Sequence, residues 1–166
     1  MREPDPPEDV LLYPGDVYFG GGNTRVRTLL GSCVAVTLWH PEALVGGMCH
    51  YMMPTRPGGA GRRERSGRYA DEAFDMLLDG VRLVGVPARE FQVKLFGGGR
   101  QFADHPPRAI DVAAQNADAG LHLLQRHGLT ATSMHLRGKG HRQVILELWT
   151  GDVWLRHADA MEASFS

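Results

Sequence analysis

The chain is poor in most of the features that announce a function. It has two cysteines in 166 residues, Cys33 and Cys49, with no Cys-x-x-Cys pair. That count argues against a disulfide framework or a dithiol redox motif. Eight histidines are present, yet no His-x-x-x-His occurs, so no metal ligand set is expected. No apolar stretch approaches the roughly 18 residues of a spanning helix. The first residues lack the basic and apolar regions of a signal peptide, so a cytoplasmic protein without membrane insertion is expected. Charge of one sign is also missing: 18 Lys and Arg against 19 Asp and Glu leave a formal net charge of −1. Nothing electrostatic favours nucleic acid or an anionic surface as the partner. A Gly-x-Ser-x-Gly elbow is absent. The Gly97-Gly98-Gly99 run carries no following Lys-Ser or Lys-Thr, so neither a nucleotide site nor a cofactor is expected.

Glycine is what the chain has in quantity, 21 residues with clusters at 20–22, 46–47, 58–59 and 97–99. Such clusters mark turns and close backbone approaches in a sheet-rich protein. Residues 1–10, proline-rich and acidic, read as a loose leader, 11–157 as one domain, and 158–166 as a frayed tail. Short strands are expected at Val17–Phe19, Arg25–Leu30, Val34–Trp39, Val45–Met53, Phe91–Phe96, Thr130–Leu136, Val144–Trp149 and Val153–Arg156. Steps of three and four put Ala70, Ala73, Phe74, Leu77, Leu78, Val81 and Val84 on one face of a helix that Gly85 ends. A second helix is expected over Asp111–His127, with Ala113, Ala114, Ala117, Leu121 and Leu124 inward. The order predicts an α+β domain, two helices on one largely antiparallel sheet. Between Thr55 and Arg65 lies a loop with Arg56, Arg62, Arg63 and Arg65, read as a solvated segment or as a basic lip for an acidic partner surface.

Chemistry concentrates at Gly31-Ser32-Cys33 and at His50, seventeen residues on. If His40–Ala43 form the loop between two antiparallel strands, Trp39 faces Leu44, and the same constant sum sets Cys33 opposite His50. Opposed residues share a face with Cβ atoms roughly 4.5–5.5 Å apart, close to nucleophile–base reach. A slip of one residue would separate them. Cys49, adjacent to His50, points to the other face and reads as a small buried hydrophobe.

These residues resemble the CheD chemoreceptor glutamine deamidases. The likeness is carried by Leu29-Leu30-Gly31-Ser32-Cys33-Val34-Ala35-Val36, Gly46-Gly47-Met48-Cys49-His50 and Met53-Pro54. It continues through Tyr13-Pro14-Gly15-Asp16, Arg68-Tyr69-Ala70-Asp71, Lys94-Leu95-Phe96-Gly97-Gly98-Gly99, Asn116, Gly138, Arg142 and Thr150-Gly151. The resemblance implies a layered α/β sandwich related to the cytotoxic necrotizing factor deamidases. It also implies a cysteine, histidine and threonine site, here Cys33, His50 and Thr28. The family's threonine lies six positions before the cysteine, where this chain has Arg27, so Thr28 is one place late. On an unbroken strand a residue five before Cys33 faces the other way, and Thr28 is expected to contribute less than the other two. The implied partners are the cytoplasmic helices of methyl-accepting chemotaxis receptors and, in some organisms, the phosphatase CheC.

The chemistry implied is attack of the Cys33 thiolate on a glutamine side-chain amide, with His50 as proton carrier and a thioester intermediate. Backbone N–H groups of Gly31, Ser32 and Cys33 are candidates for an oxyanion hole. Two other readings stay open: a non-catalytic chemotaxis adaptor, and a Cys-His enzyme of another kind, such as an acyl transferase.

Overall fold

The computed structural model describes residues 5–58, 64–101, 111–158 and 163–165. Along the chain come β1 (Glu8–Leu12), β2 (Val17–Gly21), β3 (Thr24–Leu30), β4 (Val34–His40), β5 (Val45–Tyr51) and helix α1 (Ala70–Val84). They are followed by β6 (Gln92–Gly97), helix α2 (Val112–Arg126), β7 (Ala131–Leu136), β8 (His141–Glu147), β9 (Val153–Ala158) and β10 (Ala163–Phe165). The class is the expected α+β, but the strands make two five-stranded sheets rather than one. The orders are β1-β3-β8-β9-β10 and β2-β5-β4-β6-β7. Pairing is antiparallel except for β1 with β3 and β6 with β7.

The second sheet is the middle layer. One of its faces packs on both helices through Val34, Val36, Leu38, Cys49, Tyr51, Phe74, Leu77 and Leu95. The other packs on the first sheet through Ala35, Trp39, Met48, Phe96, Val26, Leu30 and Val144. Every residue of β4 and all but the first of β5 are buried. A strand covered on both faces reads as a continuous run rather than an alternating one, as Val34-Ala35-Val36-Thr37-Leu38-Trp39 does.

The first helix matches its periodicity, with Asp71 and Glu72 in its first turn and Gly85 closing it at φ 80°. The second does not match fully. Its buried stripe is Ala113, Asn116, Ala117, Gly120, Leu123 and Leu124, whereas Leu121 is exposed. A polar Asn116 and a side-chain-free Gly120 interrupt the apolar pattern that marks a buried face. Gly120 is required because a Cβ there would press on the Tyr51 hydroxyl.

Four expectations are corrected. Glu8–Val10, read as leader, lie in β1, parallel to β3. Residues 163–165, read as tail, pair with β9; residues 1–4, 159–162 and 166 lie outside the described residues. Against the basic-lip reading, Arg56 forms a two-pronged contact with Glu72, and Arg65, exposed as the solvated reading expects, bridges Asp75 and Asp79; both fold back on α1, while Arg62 and Arg63 lie outside the described residues. Finally, the β4–β5 loop is Pro41–Leu44, not His40–Ala43. His40 pairs with Val45 and Ala35 with His50. The His40 Nδ1 accepts from the amides of Glu42 and Ala43, and Leu44 turns the chain at φ 53°. That side-chain cap keeps His40 in the strand and moves the pairing sum by two.

Gly46 and Gly47 sit where strands crowd: a Cβ would overlap Leu38 O at the first and Tyr18 O at the second. Gly47→Ala should lower stability by at least about 2 kcal/mol in urea unfolding. Leu83→Ala, on the solvent side of α1 at 89% exposure, should stay within about 0.5 kcal/mol of wild type. Equal midpoints for the two variants would contradict this packing.

Candidate active site

A slip of two residues keeps parity, so Cys33 and His50 still share a face. Both point toward the first sheet, where Cys33 packs against the core between the two sheets. Cys33 does not stand opposite His50; it precedes β4 and takes the diagonal position. Diagonal residues are roughly 7–8 Å apart between α-carbons. The expected thiol–imidazole hydrogen bond is not formed: His50 Nε2 is buried without a partner. Resting sites often carry such loose contacts and tighten on binding substrate.

The other ring nitrogen is held. His50 Nδ1 lies 2.7 Å from Thr28 Oγ1, and Thr28 Oγ1 donates to Leu12 O at 2.8 Å. A hydroxyl has one proton, and a carbonyl can only accept. With that proton committed to Leu12, the Thr28 oxygen must accept from Nδ1–H. The tautomer follows: Nδ1 carries the hydrogen, and Nε2 presents a bare lone pair on the Cys33 face. Thr28 thus reaches His50, contrary to the expectation from strand parity. That expectation assumed one strand, but between Leu30 and Val34 the chain crosses from the first sheet to the second. Thr28 looks inward from the first sheet, and His50 looks back at it from the second.

The Cys33 turn is fixed through its carbonyls. Gly31 O accepts from Gly99 N and Cys33 O from Gly98 N, at 3.1 and 2.9 Å. Ser32 O accepts from Asn116 Nδ2 at 3.0 Å. In a trans peptide the C=O and the following N–H point opposite ways. The Ser32 and Cys33 amides are therefore turned away from the groups that bind Gly31 and Ser32. The glycine run, an unlikely phosphate loop from its sequence, is the cradle of this turn. Gly97 at φ 113° and Gly98 at φ 67° take a conformation open to glycine, and a Cβ on Gly97 would strike Cys33 O. Asn116 is the residue that reasoning from single motifs left outside the site; its signal was a polar residue on the buried face of a helix.

Burial sets the electrostatics. It lowers the His50 imidazole to about 4, against a smaller opposing effect of Asp16. It also raises the Cys33 thiol above the ordinary range. Both shifts favour neutral thiol and neutral imidazole at rest over thiolate and imidazolium. Cys49 lies on the helix-facing side, fully buried, and its thiol is pushed up to about 12. Such a thiol is a core side chain, not a nucleophile.

A neutral pair has a recognisable pH behaviour. Alkylation of Cys33 by iodoacetamide, followed by intact mass, should keep rising with pH through 9, because the thiolate forms only above the usual thiol range. An ion pair would instead give a plateau between about pH 6 and 8, because the thiolate would already have formed well below the usual thiol range. Observation of that plateau would show that the pair is charged at rest.

Comparison with known proteins gives the kinship. Residues 52–157 match the family model described as CheD chemotactic sensory transduction. A Pseudomonas fluorescens (strain SBW25) protein named probable chemoreceptor glutamine deamidase CheD is 46% identical over 159 residues, covering 95% of this chain and 89% of its own. A protein of the same name from Pseudomonas savastanoi pv. phaseolicola is 46% identical over 167 residues, 98% of this chain and 92% of that one. A more distant relative from Leptospira interrogans, named probable chemoreceptor glutamine deamidase CheD 1, is 35% identical over 166 residues, with 96% and 98% covered. With a family match over more than half of its residues and relatives that align along nearly its full length, the chain belongs to the CheD family.

Proposed function

We propose that this protein is a chemoreceptor glutamine deamidase, which converts glutamine side chains on the cytoplasmic helices of methyl-accepting receptors to glutamate with release of ammonia. The reading is carried by the bare His50 Nε2 on the Cys33 face, its tautomer fixed by Thr28. As Cys33 Sγ attacks the amide carbon, its proton passes to Nε2, and the amide oxygen takes the negative charge. The outward amides of Ser32 and Cys33 are the candidate donors for that oxyanion. The imidazolium then protonates the departing nitrogen, ammonia leaves, and a thioester remains. His50, neutral again, draws a proton from water, which attacks the thioester and yields glutamate and free thiol. Thr28 orients the ring throughout.

The same site on a layered sandwich supports kinship with the cytotoxic necrotizing factor deamidases. It also fits a cytoplasmic protein that meets receptor helices and, where present, CheC. No helix among the described residues is long and apolar enough to cross a membrane. The adaptor reading rested on the displaced threonine, and the Thr28–His50 contact removes that ground.

Incubated with a receptor cytoplasmic fragment, the wild type should add about one dalton at particular glutamines, the change from –NH₂ to –OH. Unchanged mass with retained binding would favour the adaptor. Cys33→Ala should bind and fold but show no turnover, since no thioester can form. Cys49→Ala should stay within a few-fold of wild type and lose on the order of 1 kcal/mol of stability.

Thr28→Val should leave the His50 Nδ1–H unpaired, at a cost of about 1–3 kcal/mol, which is about fivefold to about 150-fold in kcat if it falls on the transition state. Thr28→Ser should recover most of the rate. Equal activity of the valine and serine variants would remove the hydroxyl from the mechanism.

A further inference from the structure

The segments that carry Cys33 and His50 belong to one sheet but are not joined by a bond between the two side chains. The β4–β5 ladder joins them as far as Val34 and Tyr51, and beyond that last pair they are joined from the helix layer. Asn116, on the buried face of α2, is fully buried. Its Nδ2 donates to Ser32 O at 3.0 Å and to Met52 O at 2.8 Å. Ser32 is the residue before Cys33, and Met52 is two beyond His50. The main-chain oxygen of Asn116 accepts from the Tyr51 hydroxyl at 2.6 Å, so the helix is anchored next to His50 a second time.

The chemistry of the contact is selective. Both partners are carbonyl oxygens, so the atom facing them must be an –NH₂ with two donors. Aspartate offers no donor there and would set a carboxylate against two carbonyls. Serine offers one donor. Leucine fills the space and leaves both carbonyls unpaired. Asn116 Oδ1 is itself buried without a partner, a cost that a space-filling side chain would avoid. The amide is there for its two donors, and those donors reach the two arms of the site.

We propose that Asn116 is a positioning residue that sets the separation of the Cys33 turn from the His50 strand, and with it the approach of the thiol to Nε2. One carboxamide holds both carbonyls at a spacing fixed by its planar –NH₂. Gly98 and Gly99 hold the same turn from the side, but neither contacts the β5 end. Loss of the Asn116 donors therefore loosens Ser32 and Cys33, which lie beyond the last ladder pair Val34–Tyr51, relative to Met52 and leaves Thr28–His50 intact. The kinetic half of this inference rests on the deamidase reading; the alkylation half does not.

The test uses Asn116→Ser and Asn116→Asp, with Leu123→Ala as a control for destabilisation on the same buried face of α2. In wild type, iodoacetamide should alkylate Cys33 faster at pH 7.5 than in His50→Ala, because Nε2, unpartnered at rest, can take the thiol proton as the sulfur attacks. Asn116→Ser should lose at least half of that advantage and Asn116→Asp nearly all of it. In deamidation, kcat should fall about tenfold or more for the serine variant, with KM within twofold. Leu123→Ala should lower the thermal midpoint at least as much as Asn116→Ser yet keep kcat and the alkylation advantage within twofold of wild type. The proposal is overturned if folded Asn116→Ser alkylates and turns over like wild type, if its loss lies in KM, or if Leu123→Ala shows the same loss. Should wild type fail to deamidate receptors while the alkylation pattern holds, the functional reading fails and the positioning role stands.

Discussion

The β4–β5 hairpin, closed off on both faces, is the constraint from which the rest follows. One face meets the helices and the other meets a second sheet, so each side chain is committed to one of two cores with no solvent to fall back on. Apolar residues satisfy that condition easily. A polar residue in such a layer must find its partner inside the protein, because an unpaired buried group costs about 1–3 kcal/mol. His50 finds Thr28 across the gap between the sheets. Asn116 finds two carbonyls across the gap between helix and sheet. The site is assembled at the junction of the three layers because each layer supplies what the next cannot.

The same burial shapes the chemistry. Desolvation penalises charge on either partner, so it moves imidazole and thiol in opposite directions and keeps both neutral. In the proposed reaction, charge separation is deferred to the moment of attack, when the oxyanion and the imidazolium form together. A neutral hydroxyl behind the ring suits this arrangement. It fixes the tautomer and the ring plane, as the acidic member of a serine-protease triad does, without placing a full negative charge in the core.

Much of the local structure was legible. The first helix followed from its period, and the shared face of Cys33 and His50 survived a wrong loop because a slip of two residues preserves parity. Cys49 fell on the opposite face for the same reason. The loop itself was misjudged because the capping role of the His40 ring is a side-chain contact that no turn propensity encodes. The second helix was blurred by Asn116 and Gly120, which look like interruptions of an apolar stripe. In the folded protein they are its contact points with the site and with Tyr51.

The sequence by itself determined the α+β class and the common face of the Cys33 thiol and the His50 imidazole, since these depend on periodicity and short-range spacing. Only the tertiary structure decided that the strands divide into two sheets, that the chain crosses between them at Gly31–Cys33, and that Thr28 and Asn116 converge on the pair. Those facts depend on which surfaces bury one another. Thr28 is 22 residues from His50 and Asn116 is 84 from Ser32, and no local rule links residues so far apart. Their meeting is set by the packing of whole layers, in which the free energy of burial is shared among many side chains and cannot be read from any one of them.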